Sequence, residues 1–119
     1  MATKAGTGVW VAKRVHKQTW SALANGDDGT WLTGAMLADK TVQVLGTFGA
    51  GGSISIEGSN DGGTTAAILN DSRGEGNPVT FTAADIRTIL ENPERIRPRV
   101  TAGDGTTSLS VIIVSESQP

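Results

Sequence analysis

Cysteine and tyrosine are absent from this 119-residue chain, histidine occurs once, at His16, and the remaining aromatics are three Trp and two Phe. Without a thiol there is no disulfide framework, no thiolate metal site and no cysteine nucleophile, and one imidazole cannot build a multi-histidine zinc site. No metal and no cofactor is therefore expected. Long apolar runs are missing too. None exceeds four residues, the length of Val111 to Val114, far short of the ~20 a membrane helix needs, and the amino end has no apolar stretch of the signal-peptide kind. A soluble chain with no membrane partner is the expectation. Carboxylates are missing locally: residues 1–26 hold Lys4, Lys13, Arg14 and Lys17 and no acid, a local charge of +4, whereas residues 27–119 carry -6. The amino end is a separate electrostatic unit.

With so few aromatics, the core must come from Val, Ile, Leu and Ala, and abundant Gly and Thr point to strands joined by turns. Residues 1–8 have no hydrophobic period and two glycines, which predicts a loose arm. Val9, Val11 and Val15 then mark one strand, Thr19 to Leu23 a second, and Asn25-Gly26-Asp27-Asp28-Gly29 a turn before Trp31. From Thr41 the alternation sharpens. Val42, Val44 and Phe48 oppose Gln43, Leu45 and Thr47, and after four small residues Ile54 and Ile56 oppose Ser53, Ser55 and Glu57, which reads as a hairpin. Further Gly- and Asp-rich connections at 58–65 and 70–77 give the strand spacing of a sandwich or barrel. One helix is predicted over 83–90, capped by Thr82, with Ile86, Ile89 and Leu90 on one face and Pro93 beyond its end. Pro98 predicts an edge strand for 95–101, because it cannot donate a ladder hydrogen bond. Ser108 to Ser115 is apolar on both sides in its second half, as in a strand that is central or covered by another chain.

Chemistry-bearing motifs are sparse. His16 lies in a cationic stretch that disfavours the imidazolium a catalytic base must become, no G-x-S-x-G elbow exists, and no Lys follows a Gly as a P-loop requires. The acidic turn at 25–29 lacks the calcium-loop spacing and its terminal Glu. Ser59-x-Asp61-x-Gly63-x-Thr65 matches the Asp-box pattern except that Ala66 replaces the aromatic; Asx hydrogen bonding explains it as a structural turn. No catalytic residue is expected, and the chain reads as a non-enzyme. The one charge cluster is Arg87 with Arg95, Arg97 and Arg99. Alternate strand residues lie ~6.8 Å apart on one face, so three guanidinium groups either pair within the chain, with Asp85, Glu91 and Glu94 as candidates, or clamp the carboxylates of a partner. Nucleic acid is not an expected partner, since no aromatic accompanies the cluster for stacking. Trp10, Trp20 and Trp31 are either core or anchors across a partner boundary.

The succession of Val42 to Phe48, Ile56-Glu57-Gly58-Ser59-Asn60-Asp61-Gly62-Gly63, Val79 to Ile86, and Ile96-Arg97-Pro98-Arg99-Val100-Thr101 running on through Gly103-Asp104-Gly105-Thr106-Thr107 resembles small virion structural proteins of tailed bacteriophages, in particular head decoration, or cement, proteins. The resemblance implies a compact β-sandwich on the outer capsid surface that bridges subunits of the major capsid protein and oligomerises with itself as a dimer or trimer. Taken with the strand pattern, the expected fold is all-β: an antiparallel sandwich of about eight strands, jelly-roll-like or Ig-like, with one short helix and an extended N-terminal arm. Residues 1–40 form the arm and first strands and 41–119 the compact core of a single domain. Lys4, Trp10, Lys13, Arg14, Lys17, Arg95, Arg97 and Arg99 are the expected partner-binding residues. A tail or baseplate component, or a sandwich whose loops 25–30, 58–65 and 70–77 hold a glycan, is the alternative.

Overall fold

Two β-sheets pack face to face in the computed structural model, which describes residues 1–33, 37–72 and 76–117; residues 73–75 of the 70–77 connection lie outside the described residues. The first sheet runs β1 (Thr3–Lys4), β4 (Asp28–Gly29), β10 (Arg95–Ala102), β6 (Ser53–Ser59), β7 (Ala67–Ile68), with β8 (Thr80–Phe81) also pairing β6. The second runs β2 (Thr7–Ala12), β3 (Val15–Leu23), β11 (Ser108–Glu116), β5 (Asp39–Thr47), β9 (Asp85–Ile89). Every pairing is antiparallel except β1 with β4. The all-β sandwich is as the alternation requires. Ile54 and Ile56 of β6, Ile96 and Val100 of β10, Val42 and Val44 of β5 and Val111 and Ile113 of β11 all point inward and are buried. Trp20 and Leu23 of β3 join the same core, so elements on both sides of residue 40 fold around one interior. Each such aliphatic side chain contributes roughly 1.5–3 kcal/mol when fully buried.

Four expectations about local structure are corrected. Residues 85–89 form β9, and no helix occurs among the described residues. The segment also fits a period of two: Ile86 faces out at 58% exposure while Ile89 is buried, and an eight-residue helix is too short to nucleate alone when the edge of β5 offers a ready ladder. Eleven strands lie among the described residues, because four two-residue strands escape any periodicity test. The 42–57 segment is not a hairpin: β5 belongs to one sheet and β6 to the other, and the chain crosses between them at 48–52 with Gly49 and Gly51 at positive φ. Residues 1–8 are not loose, since Thr3–Lys4 pairs with β4 and β2 begins at Thr7.

Pro98 also corrects its strand's placement. β10 is interior, between β4 and β6. On its β4 side the Ile96 amide donates to the Leu32 carbonyl and the Val100 amide to the Asp27 carbonyl. Pro98 falls between these two donors, on the side where the ladder is already interrupted, so its missing N–H leaves no gap on the continuous β6 side.

The crossing at 48–52 is fastened to a second one at 103–107, by which β10 leads into β11. The Ala50 amide and the Thr106 amide and hydroxyl donate to the Asp104 carboxylate, and the Thr107 hydroxyl donates to the Phe48 carbonyl at 2.8 Å. These donors hold Asp104 at a pKa of about 2, the Thr106 hydroxyl contributing most.

Candidate functional site

On β10, Ile96, Pro98 and Val100 take the inner face, which sends Arg95, Arg97 and Arg99 to the outer face of the first sheet. The neighbouring β6 alternates likewise and presents Ser55, Glu57 and Ser59 there, and the register sets Glu57 directly opposite Arg97. Arg97 Nε donates to Glu57 Oε1 at 3.0 Å and its Nη1 lies 3.2 Å from Asp28 Oδ2 of β4. Its guanidinium stacks on Trp31, 4.4 Å from the ring centroid. The Arg97 side chain is only 19% exposed. Arg99 reaches the other Glu57 oxygen at 3.6 Å and Arg95 pairs with Glu94 at 3.3 Å. The row is thus neutralised within the chain. Of the carboxylates expected from sequence only Glu94 takes part; Asp28 and Glu57 were missed, although the outward position of Glu57 beside two serines was the signal. Arg87 of β9, opposite the inward Val42, reaches between the sheets at their edge instead, 3.8 Å from the buried Asp71 and over Phe81.

The 59–65 turn closes over this cluster. Ser59 Oγ donates to Asp61 Oδ1, the Thr65 amide donates to the same carboxylate oxygen, and the Gly63 amide donates to Ser59 Oγ. With the Thr65 amide as the main cause, then the Ser59 hydroxyl, Asp61 is held at a pKa of about 2. The pattern is a structural turn, as the sequence implied. It seats Gly63, at φ +95°, against the Trp31 ring: a Cβ there would lie 2.6 Å from Nε1. Gly63, Trp31 and Arg97 form one stack.

The remaining expected site residues divide between the sheets. Lys4 on β1 shares the first sheet with the arginines and lies 3.7 Å from Asp27. Burial pushes the Asp27 carboxyl up, but the amides of Ala24 and Ala2 and the Lys4 ammonium outweigh it and leave the pKa lowered. Trp10, Lys13, Arg14 and Lys17 belong to β2, β3 and the turn between them, in the second sheet, and are exposed. Trp10, 52% exposed, meets His16 edge-on with ring centroids 5.0 Å apart. His16 is buried, and its Nδ1 has no hydrogen-bond partner among the described residues. The three tryptophans have three settings: Trp20 is core and donates Nε1 to the Thr30 carbonyl, Trp31 roofs Arg97, and Trp10 is open. The structure therefore does not gather the eight residues into one patch.

Beside the 59–65 turn is an open cleft of about 670 Å³ whose polar walls include Asn60, Asp61, Asn70, Glu91 and Asn92. Burial raises the Glu91 carboxyl, but two hydrogen bonds from Asn70, one from its amide and one from its side chain, more than compensate and lower its pKa. Asp61 and Glu91 are thus both occupied by their own loops and held ionised, the opposite of a split acid and base pair. Among the described residues no three His, Asp or Glu side chains converge as a metal-ligand set.

The outer face of the second sheet is of another kind. Thr7 and Val9 of β2, Thr19 of β3, Ile112 and Val114 of β11, and Leu45 of β5 lie on it, together with Lys17 of β3 and, at one end, Glu116 of β11 and Asp39 of β5. Val9 and Leu45 are 54% and 39% exposed. This is a flat surface of apolar and hydroxyl groups of the kind that protein partners cover.

The two-sheet sandwich has solved counterparts. A SPBc2 prophage-derived protein, YomS, superposes with a TM-score of 0.61 at 13% identity, over 90% of this chain and 100% of that one. A cupin domain from Bordetella pertussis superposes with a TM-score of 0.52 at 14% identity, over 98% of this chain and 96% of that one. No protein-family profile matches the chain, and no curated protein matches its sequence. At such identities the likeness concerns the fold.

Proposed function

We propose that this chain is a non-enzymatic structural protein of a phage particle, a decoration protein that binds the outside of the head and bridges major capsid protein subunits. The observation that carries the reading is the fold's likeness to a prophage-derived protein along that protein's entire length. It accords with the sequence resemblance over Thr41 to Val114. The surface chemistry supports it as well: the charged groups of the first sheet are paired with one another, whereas the second sheet offers a face of Val, Ile, Leu and Thr that carries Lys17, with Lys13 and Arg14 in the adjoining turn and Asp39 and Glu116 at the same end. Such a face adheres through apolar area, and its exposed Lys13, Arg14 and Lys17 can pair with carboxylates of a partner. A protein that binds the assembled lattice and not loose subunits stabilises the assembly by mass action.

The test is sedimentation of the purified chain with heads of the particle whose genome encodes it. Saturable binding to assembled heads, absent with unassembled capsid protein, is the expected result. The charge reversals Lys13→Glu, Arg14→Glu and Lys17→Glu together should weaken it at least tenfold while leaving the unfolding midpoint in place. Failure to bind heads overturns the reading, and a label found on tails in negatively stained particles replaces it with a tail or baseplate role.

A further inference from the structure

We propose that Lys40 and Asn92 become joined by an intramolecular isopeptide bond, formed by the folded chain itself with loss of ammonia. Lysine side chains are almost never fully buried. Lys40 is 3% exposed, because the alternation that turns Val42 and Val44 of β5 inward turns Lys40 inward as well. Its Nζ donates to the Ala38 carbonyl at 3.2 Å and to Asn92 Oδ1, which brings the amine to the carbonyl group it would attack. Burial pushes the Lys40 pKa down against the upward pull of the Asp39 and Glu91 carboxylates. A desolvated lysine of this kind is an activated nucleophile.

The electrophile is held in place. β9 pairs with β5 so that Ile89 lies opposite Lys40, and Asn92 follows three residues on. Both sides of it are fastened: the Leu90 amide donates to the Asn70 carbonyl at 2.8 Å, Asn70 donates twice to Glu91, and the Glu94 amide donates to Asn60 Oδ1 at 2.7 Å. Pro93 is seated against Gly58, where a Cβ would lie 2.6 Å from its ring. No loop has to close before amine and amide meet, which is where an intramolecular reaction gains most. Pro93 acts a second time. The side-chain carbonyl of an asparagine is ordinarily attacked by the N–H of the following residue, and proline has none, so Lys40 is left as the nucleophile in contact.

The step balances without a co-reactant. The Nζ lone pair forms the Nζ–Cγ bond of Asn92, and the Cγ–Nδ2 bond breaks with its electron pair going to Nδ2. Of the three protons on the Lys40 ammonium one stays on the new amide, one converts the departing amine to ammonia, and the third leaves with it as ammonium. The Glu91 carboxylate, adjacent to Asn92 in the chain, is the base that carries them, and it ends ionised as it began. Ammonia escapes through the open cleft whose walls include Glu91 and Asn92. The bond ties β5 to the segment beyond β9, and it constrains the unfolded chain as a disulfide would in a chain that has no cysteine.

Mass spectrometry on the purified full chain tests this independently of any head binding. The expected mass is about 17 Da, one ammonia, below that of the unlinked chain. A tryptic digest should yield a branched peptide joining residues 88–95 to an uncleaved Lys40, with the free 88–95 peptide missing. Lys40→Arg and Asn92→Ala should each restore the full mass, and Glu91→Gln should link at least ~tenfold more slowly. If a variant fails to fold, the branched peptide of the wild-type chain still decides. The unreduced mass, a free 88–95 peptide in full yield, or an ammonia loss that maps to a succinimide at Asn25-Gly26 would overturn the proposal. Linkage of Glu91→Gln at the wild-type rate would overturn the part given to Glu91.

Discussion

The two outer faces of the sandwich solve the problem of an exposed sheet in opposite ways. On the first sheet, Arg97 is held between Glu57 and Asp28 and roofed by Trp31, so the face is charged in composition and largely satisfied within the chain. On the second, Val9 and Leu45 are exposed and Ile112 and Val114 half-buried, among Thr19, Thr41, Gln43 and Lys17. The lesson is that a row of charges in a sequence is a poor guide to which groups stand free: the most conspicuous cations serve the fold, and the face left open is the less charged one. Reading the arginine row as a clamp for foreign carboxylates overlooked that β6 supplies a carboxylate at the opposing position.

The largest expected effect comes from breaking the satisfied face. Arg97→Ala leaves the Glu57 and Asp28 carboxylates poorly paired in a mostly buried site and should cost about 3 kcal/mol in a denaturant titration. If the loss is near zero, the two faces are not different in kind. Next, Gly63→Ala forces an L side chain into positive φ against Trp31 and should cost roughly 1–2 kcal/mol, with a shift in Trp31 emission; an unchanged spectrum would mean that the turn is not seated on the ring. Acid sharpens the contrast further. Asp61 and Asp104 titrate at about 2 in the folded chain against an ordinary 3.8. Their contribution is therefore complete above about pH 3.8 and is lost as pH falls towards 2. Melting temperature should drop across that interval, and less steeply in Asp61→Asn with Asp104→Asn. The smallest effect belongs to the open face, where Leu45→Lys should change stability by under ~0.5 kcal/mol yet weaken attachment to a partner; a large destabilisation would show that the face is part of the fold.

Much of this architecture was legible in the chain. The alternations at 42–48, 53–57 and 108–115 identified inward residues correctly, because period two survives whichever sheet a strand joins. What the alternation cannot convey is pairing. Val42 to Phe48 and Ser53 to Glu57 have the pattern of a hairpin, yet their hydrogen bonds go to β11 and β10, a choice made by the turn at 48–52 and its bonds to residues 104–107. The same limit hid β9, whose ladder is supplied by β5, and the interior place of Pro98, which depends on a gap in the ladder contributed by residues some 70 positions away. Site residues suffered likewise. Arg97 could be named from sequence, but Asp28, Glu57 and Trp31 come to it from three separate stretches.

The distribution of the three indoles has a practical consequence. In a chain without tyrosine they dominate the near-ultraviolet signal, and each reports on a different place: Trp20 the melting of the interior, Trp31 the loosening of the arginine it covers, Trp10 any change at the solvent-exposed rim. Variants retaining one indole apiece would let a simple fluorimeter separate unfolding from association, and an iodide or acrylamide quencher would reach Trp10 first.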